Sequence, residues 1–119
     1  MFAKEAGLLQ GTLELLVLKT LSWGPMHGYG IASWIETATD DVLRVEEGSL
    51  YPALYRMVHK RWIKGEWGVS DNNRRAKFYR LTKAGEREFE QQASGWLRLS
   101  SAVSRAVTST GLPAPAGHR

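Results

Sequence analysis

Two changes of hydrophobic period predict that this chain folds as a mainly helical α+β domain with one two-stranded β-hairpin. Apolar residues recur at helical spacing through the first half of the sequence and again through its last third. Between these regions, two short, aromatic-rich, alternating segments flank a polar loop, which is the pattern of a hairpin. The predicted order is three helices, a hairpin and one long helix.

The composition is that of a single domain whose charge is unevenly distributed. The 119 residues carry a net charge of +4. Residues 44–87 hold eleven basic and five acidic side chains, whereas residues 1–43 hold two basic and five acidic ones. A basic segment beside an acidic one is typical of proteins that bind a polyanion. Membrane surfaces and acidic proteins attract the same charge, so this observation alone leaves the partner open.

Several protein classes do not fit the sequence. The absence of cysteine excludes disulfides, thiolate metal sites and cysteine nucleophiles. No apolar run is long enough to cross a membrane, and the first residues, MFAKE, lack the order of a signal peptide. His27, His59 and His118 lack metal-ligand spacing, and no nucleophile motif or carboxylate pair occurs. We expect a cytoplasmic protein with no catalytic residues, no metal and no cofactor.

The first helix is predicted at residues 9–23 and is apolar on two sides. One face carries Leu9, Leu13, Leu16, Val17 and Leu21. A different side carries Leu8, Leu15 and Leu18. A helix that is apolar on two sides needs two elements to pack against. The second element is either a partner subunit or the last helix of the same chain, and the sequence leaves both open.

Two further helices follow a Gly24-Pro25 turn. The second is predicted at residues 28–37 and the third begins near residues 47–49, because Pro52 is tolerated only near a helix start. The predicted core face of the third helix carries Leu50, Leu54, Met57 and Val58. Its outer face and flanks carry Ser49, Tyr51, Pro52, Tyr55, Arg56, His59 and Lys60.

The hairpin strands are predicted at residues 62–67 and 77–81, and the loop between them ends in Arg74-Arg75. Thr82 is a candidate N-cap for the last helix, predicted at residues 83–108, although Gly85 leaves its capping box incomplete. That helix carries a heptad-like apolar row formed by Phe89, Ala93, Trp96, Ser100, Val103 and Val107. A row of this length predicts a contact between two subunits.

Three short helices and a hairpin form the winged helix-turn-helix arrangement. We therefore divide the chain into a DNA-binding domain at residues 1–82, a dimerisation helix at 83–110 and a disordered tail at 111–119. The third helix would enter the major groove, and Ser49, Tyr51 and Arg56 are its candidate contacts. The hairpin offers Arg74, Arg75 and Lys77 to phosphates. Simpler interpretations stay open: a cap for Ser49, packing for the tyrosines and solvated charges for the arginines.

Four motifs in order resemble the PadR family of bacterial transcriptional regulators. They are GTLELLVL at residues 11–18, GPMHGYGI at 24–31, GSLYPAL at 48–54 and NRRAKFYRLTKAG at 73–85. The resemblance spans roughly residues 8–107. It implies a dimeric winged-helix repressor in the bacterial cytoplasm, at the nucleoid. A single closing helix resembles the short subgroup, in which the first and last helices form the dimer interface.

The resemblance also suggests roles for individual residues. The family positions that contact DNA correspond here to Tyr29, Ser49, Tyr51, Arg74, Arg75 and Lys77, to which the outer face of the third helix adds Pro52, Arg56 and Lys60. The predicted dimer contacts are Leu8, Leu15, Leu18, Phe89, Ala93, Trp96, Val103 and Val107. Some members bind a small aromatic effector where Trp96 falls, and a subunit-contact role for Trp96 is the other interpretation. A winged helix that binds a protein instead of DNA is the alternative function.

Overall fold

The computed structural model describes the backbone of residues 6–112 and the side chains of residues 11–112. The side chain of Leu8, predicted at the dimer interface, and the predicted tail beyond residue 112 lie outside the described residues. The helices are α1 (Ala6–Leu21), α2 (Gly28–Ala38), α3 (Glu47–His59) and α4 (Lys83–Val107), and the strands are β1 (Met26–His27), β2 (Ile63–Val69) and β3 (Arg75–Leu81).

The sheet has three antiparallel strands in the order β1-β3-β2, where the sequence predicted two. The additional strand, β1, pairs Met26 with Tyr79 and His27 with Phe78. Two residues are too few to show an alternating period, so the pattern could not reveal β1. The hairpin strands also extend further into the predicted loop than expected, and β3 begins at Arg75. The fold class is otherwise as predicted: α+β, with a winged helix-turn-helix and a long last helix.

The core lies where α1 packs against the other helices and β3. It is formed by Leu13, Val17, Leu18, Leu21, Ile31, Ile35, Leu50, Ala53, Leu54, Met57, Ile63 and Tyr79. The predicted core faces of the first and third helices both contribute to it. One residue predicted to be internal does not, because Val58 is 38% exposed near the end of α3.

The packing of α1 corrects one predicted dimer contact. Leu18 was assigned to an outer side of the first helix, yet it is 0% exposed in the single subunit. Neighbouring elements of the same chain, α4 among them, cover α1 on more than one side. Leu18 therefore has no surface to offer a partner, whereas Leu15 is only half-buried and keeps some.

The helix α3 begins within the predicted range, and Pro52 lies inside it. The helix begins at Glu47, so Pro52 is beyond the first turn. Its missing N–H leaves the Gly48 carbonyl without the donor that a regular helix would supply. Pro52 itself is exposed, so this interruption lies on the outer side of α3.

Thr82 fixes the junction between β3 and α4. Its hydroxyl accepts a hydrogen bond from the Gly85 N–H at 3.0 Å and donates to the Arg61 carbonyl at 2.6 Å, which confirms the predicted N-cap. A side chain on Gly85 would overlap the carbonyl oxygen of Trp62. The capping-box position holds glycine because the first turn of α4 lies directly on the backbone before β2.

The second half of α4 leaves the core. Every residue from 101 to 112 is exposed. Four exposed apolar side chains at helical spacing form what we call the α4 apolar face: Trp96, Leu99, Val103 and Val107. No helix in the described part of the chain is long and apolar enough to span a membrane.

Candidate nucleic-acid interface

The outer side of α3 presents small polar and aromatic groups to solvent. Ser49, Tyr51 and Pro52 are all exposed near the start of the helix. Tyr55 is 69% exposed and stacks on His59, with ring centroids 5.5 Å apart. The alternative in which Tyr55 packs against the hairpin is therefore wrong. Hydroxyls near a helix N-terminus are suited to phosphate contacts, because the N–H groups there also favour anions.

Tyr51 joins three elements at the base of this surface. A Cβ added to Gly28, at the start of α2, would lie 2.5 Å from the Tyr51 hydroxyl, so the phenol rests against that backbone. Burial, and secondarily the nearby Tyr51, raises the pKa of Tyr79 on β3 above its usual 10.0. Tyr51 is still 46% exposed. Tyr51 therefore packs against α2 and still offers part of its surface to solvent.

The N-terminus of α2 brings a second tyrosine to the surface. The imidazole Nδ1 of His27 accepts a hydrogen bond from the Gly30 N–H at 2.9 Å and so caps the helix. The His27 ring also lies edge-on to Phe78, with centroids 5.2 Å apart. Between these anchored residues, Tyr29 is 80% exposed. The cap fixes the backbone from which Tyr29 projects.

Two predicted DNA contacts on α3 are engaged within the subunit. The Arg56 Nε donates to a carboxylate oxygen of Glu14 at 3.0 Å, and the Lys60 Nζ lies 3.7 Å from the other oxygen. The Glu14 side chain is only 10% exposed, while Arg56 and Lys60 are 35% and 47% exposed. Sequence reasoning missed Glu14, although an acidic residue inside an apolar helix is itself a sign of a buried partner.

The β2–β3 hairpin, hereafter the wing, carries cations on one of its faces. Directly opposite residues of an antiparallel pair share a face. The register pairs Gly65 with Tyr79, Trp67 with Lys77 and Val69 with Arg75. Tyr79 at the base of this face is buried in the core, and Lys77 and Arg75 follow it toward the tip. We call the exposed part, formed by Trp67, Arg75 and Lys77, the cationic face of the wing.

The tip of the wing is an ordered turn. The Ser70 N–H donates to the Arg74 carbonyl at 2.8 Å, and the Ser70 hydroxyl donates to the Asn72 side chain at 2.6 Å. Asn73 has a φ of 62°, in the left-handed region that asparagine tolerates. Arg74 follows it with an exposed side chain. The turn therefore holds the backbone of Arg74 while its guanidinium projects into solvent.

These groups lie on one side of the subunit. The Tyr51 phenol rests on Gly28, directly after β1, and β1 pairs with β3 at Tyr79. The Tyr79 ring and the Lys77 side chain both lie over Gly65, on the sheet face that also carries Arg75. The start of α3 and the cationic face of the wing are therefore neighbours. Among the described residues, the ion pair of the wing joins Arg80 to Glu66 on its other face, and no carboxylate pairs with Arg74, Arg75 or Lys77. No group of three or more acidic or histidine side chains in the described part of the chain could hold a metal. The surface is suited to a polyanion.

The predicted subunit contacts on α4 differ in their accessibility. Phe89 is half-buried against the core, and Ala93 is half-buried beside it. Trp96, Val103 and Val107 are 43%, 51% and 76% exposed. The row is therefore divided: its first part belongs to the subunit core, and its later part has no covering element in the described chain.

Three helices that place a recognition helix beside a basic wing define a winged-helix transcriptional regulator. Residues 17–91 match the model of the transcriptional regulator PadR-like family. The chain belongs to that family, as its four motifs indicated.

Solved structures agree with this assignment, and a curated relative shares part of the sequence. A PadR-like transcriptional regulator from Bacillus cereus is 27% identical, with 87% of this chain and 99% of that one covered and a TM-score of 0.75. A PadR-like transcription factor from Bacteroides fragilis is 27% identical, with coverages of 87% and 98% and a TM-score of 0.69. A 37.1 kDa protein of a Streptomyces fradiae transposon is 37% identical over 76% of this chain, which spans 24% of that protein.

Proposed function

We propose that this PadR-family regulator is a repressor that binds a palindromic operator as a homodimer. In each subunit α3 enters the major groove and the wing contacts the adjacent backbone. The observation that carries the proposal is the common side shared by the start of α3 and the unpaired cations of the wing. A DNA regulator acts where the chromosome is, so we place it in the bacterial cytoplasm at the nucleoid.

The residues divide into three roles in this proposal. Tyr29, Ser49, Tyr51 and Pro52 form the surface that meets the groove wall. Arg74, Arg75 and Lys77 neutralise phosphates. Arg56 and Lys60 mainly hold α3 against α1 through Glu14, because their charges are already partnered there. Only the donors left free on their half-exposed side chains remain for DNA.

A charge-matched pair of variants tests the wing. Arg74→Ala with Arg75→Ala should weaken binding to all duplexes by a similar factor, because phosphate contacts carry no sequence information. The slope of log affinity against log salt should become shallower by about two units, at roughly 0.9 per lost contact. The control is Arg98→Ala with Arg105→Ala, which removes the same charge from exposed positions on α4. Equal binding by the two double variants would refute the wing assignment.

Footprinting the wild-type protein on genomic DNA tests the operator. We expect a pseudo-palindrome whose half-sites lie about one helical turn apart. If the protein shifts no duplex at low salt and instead retains a protein partner independently of salt, the alternative function, a protein-binding winged helix, replaces the proposal.

We place the dimer contact on the α4 apolar face, with Leu15 at its margin and Phe89 and Ala93 at its start. A helix with 25 residues is about 37 Å long, so it can pair with a second copy beyond the core. Val103→Glu with Val107→Glu should yield a monomer in analytical ultracentrifugation, because it would bury carboxylates without partners. Val42→Glu is the control, since Val42 is 68% exposed on the loop after α2. An unchanged dimer in the α4 variant would exclude this surface.

An effector site at Trp96 is a separate part of the proposal. Trp96 is 43% exposed, and no other aromatic ring contacts it among the described residues. A ligand would therefore need its second wall from the partner subunit. Flat aromatic compounds should quench tryptophan fluorescence, and Trp96→Ala should abolish that quenching without changing the dimer. If quenching is absent in the wild type, Trp96 serves only the subunit contact.

A further inference from the structure

Trp67 is a large apolar side chain that the core does not use. It projects from the wing with 62% of its surface exposed. The aromatic residues of the hairpin base, by contrast, pack inward: Tyr79 is buried in the core. An exposed indole on a hairpin gains little from the subunit itself, so the contacts it does make need an explanation.

The contacts of Trp67 are with cations. The Arg75 guanidinium carbon lies 4.4 Å from the centre of the indole ring, and the Lys77 Nζ lies 5.9 Å from it. Both distances are within the range in which a ring attracts a cation over its face. The register explains the geometry, because Lys77 is directly opposite Trp67 and Arg75 is its diagonal neighbour on the same face.

The other side chains of the wing show that this arrangement is selective. On the opposite face, Arg80 is neutralised by Glu66 at 3.5 Å. At the tip, Arg74 is exposed and has no ring beneath it in the described structure. Arg75 and Lys77, in contrast, have no carboxylate partner among the described residues, and both lie over the Trp67 ring.

We propose that Trp67 is a positioning residue for DNA binding: its indole holds the side chains of Arg75 and Lys77 over the cationic face of the wing, toward the phosphates of the duplex. This inference rests on the proposed DNA-binding role of the wing. A free arginine side chain loses rotamer freedom on binding. An arginine already held against a ring has lost part of it beforehand, so its phosphate contact costs less.

A double-mutant cycle tests the proposal. The variants are Trp67→Leu, Arg75→Ala and their combination, with Arg74→Ala as the matched background. Binding is measured by fluorescence anisotropy on a labelled, mixed-sequence duplex about three helical turns long. Because Trp67 acts through Arg75 and Lys77, Trp67→Leu should weaken binding about fivefold in the wild type and in the Arg74→Ala background. In the Arg75→Ala background its effect should shrink to twofold or less, the part that remains through Lys77.

The outcomes separate this inference from the proposed function. If the wild type binds no duplex, the DNA-binding proposal fails. If Arg75→Ala binds like the wild type, the role of the wing fails and that of Trp67 with it. If Trp67→Leu costs the same factor with and without Arg75, Trp67 does not act through Arg75 and the inference is overturned.

A measurement without DNA distinguishes the positioning role of Trp67 from a general structural effect of its substitution. The ring current of Trp67 should shift the Arg75 side-chain resonances upfield in the NMR spectrum of the wild type. Trp67→Leu should abolish this shift, and Trp67→Phe should retain part of it together with part of the DNA affinity. If Trp67→Leu does not fold, Trp67→Phe in the two arginine backgrounds gives the same cycle with a smaller effect. An unshifted Arg75 in the folded wild type would contradict the proposal.

Discussion

Glu14 is the charged residue whose removal should affect stability most. It lies on α1, its side chain is only 10% exposed, and it is the common ion-pair partner of Arg56 on α3 and of Lys60 at the end of that helix. Glu14→Ala removes the carboxylate and leaves two cations facing an apolar helix. Glu14→Gln keeps the shape and one oxygen acceptor for the Arg56 Nε while removing the charge. The two variants therefore separate the loss of charge from the loss of the whole contact.

The exposure of the partners sets the size of the effect. Breaking a fully buried ion pair from one side costs about 3–5 kcal/mol. Here the cations are 35% and 47% exposed, so water can reach them once the carboxylate is gone. We therefore expect Glu14→Ala to lower the free energy of unfolding by about 2 kcal/mol. Glu14→Gln should cost about 1 kcal/mol, the difference between a charge-assisted and a neutral hydrogen bond.

Urea unfolding followed by circular dichroism measures both variants. All samples need the same subunit concentration, because the apparent stability of a dimer depends on it. The control is Glu66→Ala, which breaks the exposed pair with Arg80 and should cost less than about 0.5 kcal/mol. Glu14→Ala within about 0.5 kcal/mol of the wild type, or no more harmful than Glu66→Ala, would show that the buried pair does not stabilise the fold.

Further predictions concern two glycines of α4 and the phenol of Tyr79. Gly85→Ala should lower the free energy of unfolding by about 3 kcal/mol, because its Cβ would overlap the Trp62 carbonyl. Gly95→Ala, in the same helix with no atom within 4 Å of its Cβ, should instead stabilise by up to about 1 kcal/mol. Urea unfolding compares them, and equal effects would refute the steric argument. The raised pKa of Tyr79 means that the folded state holds this phenolic proton more tightly. Stability should therefore be unaffected by this group below the unfolded pKa of about 10 and should fall as pH rises from there through the higher folded pKa, as urea titrations at alkaline pH would show. Tyr79→Phe should remove that part of the fall and Tyr51→Phe should reduce it; an unchanged pH profile in Tyr79→Phe would contradict the assignment.

Periodicity predicted the long elements because each shows several turns or alternations. The last helix, predicted at residues 83–108, is observed at Lys83–Val107, and α3 begins at Glu47 as expected. Strand β1 could not be predicted in this way. It consists of Met26 and His27, whose partners on β3 are Tyr79 and Phe78, far along the chain. Such a short strand is fixed by tertiary packing, which leaves no local pattern.

The sequence predicted the kind of surface at the candidate interface, but not the side-chain contacts within it. Charge segregation pointed to the hairpin, and the structure shows Arg75 and Lys77 on one face of it. The side-chain partners could not be predicted from the sequence, because they depend on which residues of distant elements meet. Arg56 therefore looked like a free donor until Glu14 was found beside it. The prediction of Leu18 as a dimer contact was wrong for the same reason, since only the packing of α1 shows which of its sides the subunit itself covers.

The Thr82 junction makes the wing and the last helix one mechanical unit. The hydroxyl of Thr82 and the close approach of Gly85 lock the first turn of α4 to the chain just before β2, at the base of the hairpin. Since Thr82 alone lies between β3 and α4, a rotation of α4 would carry the wing with it. If two subunits join through α4, the crossing angle of the two helices sets the span between the wings. The dimer contact would then determine the spacing of the half-sites, and a change of that angle would alter which spacings fit.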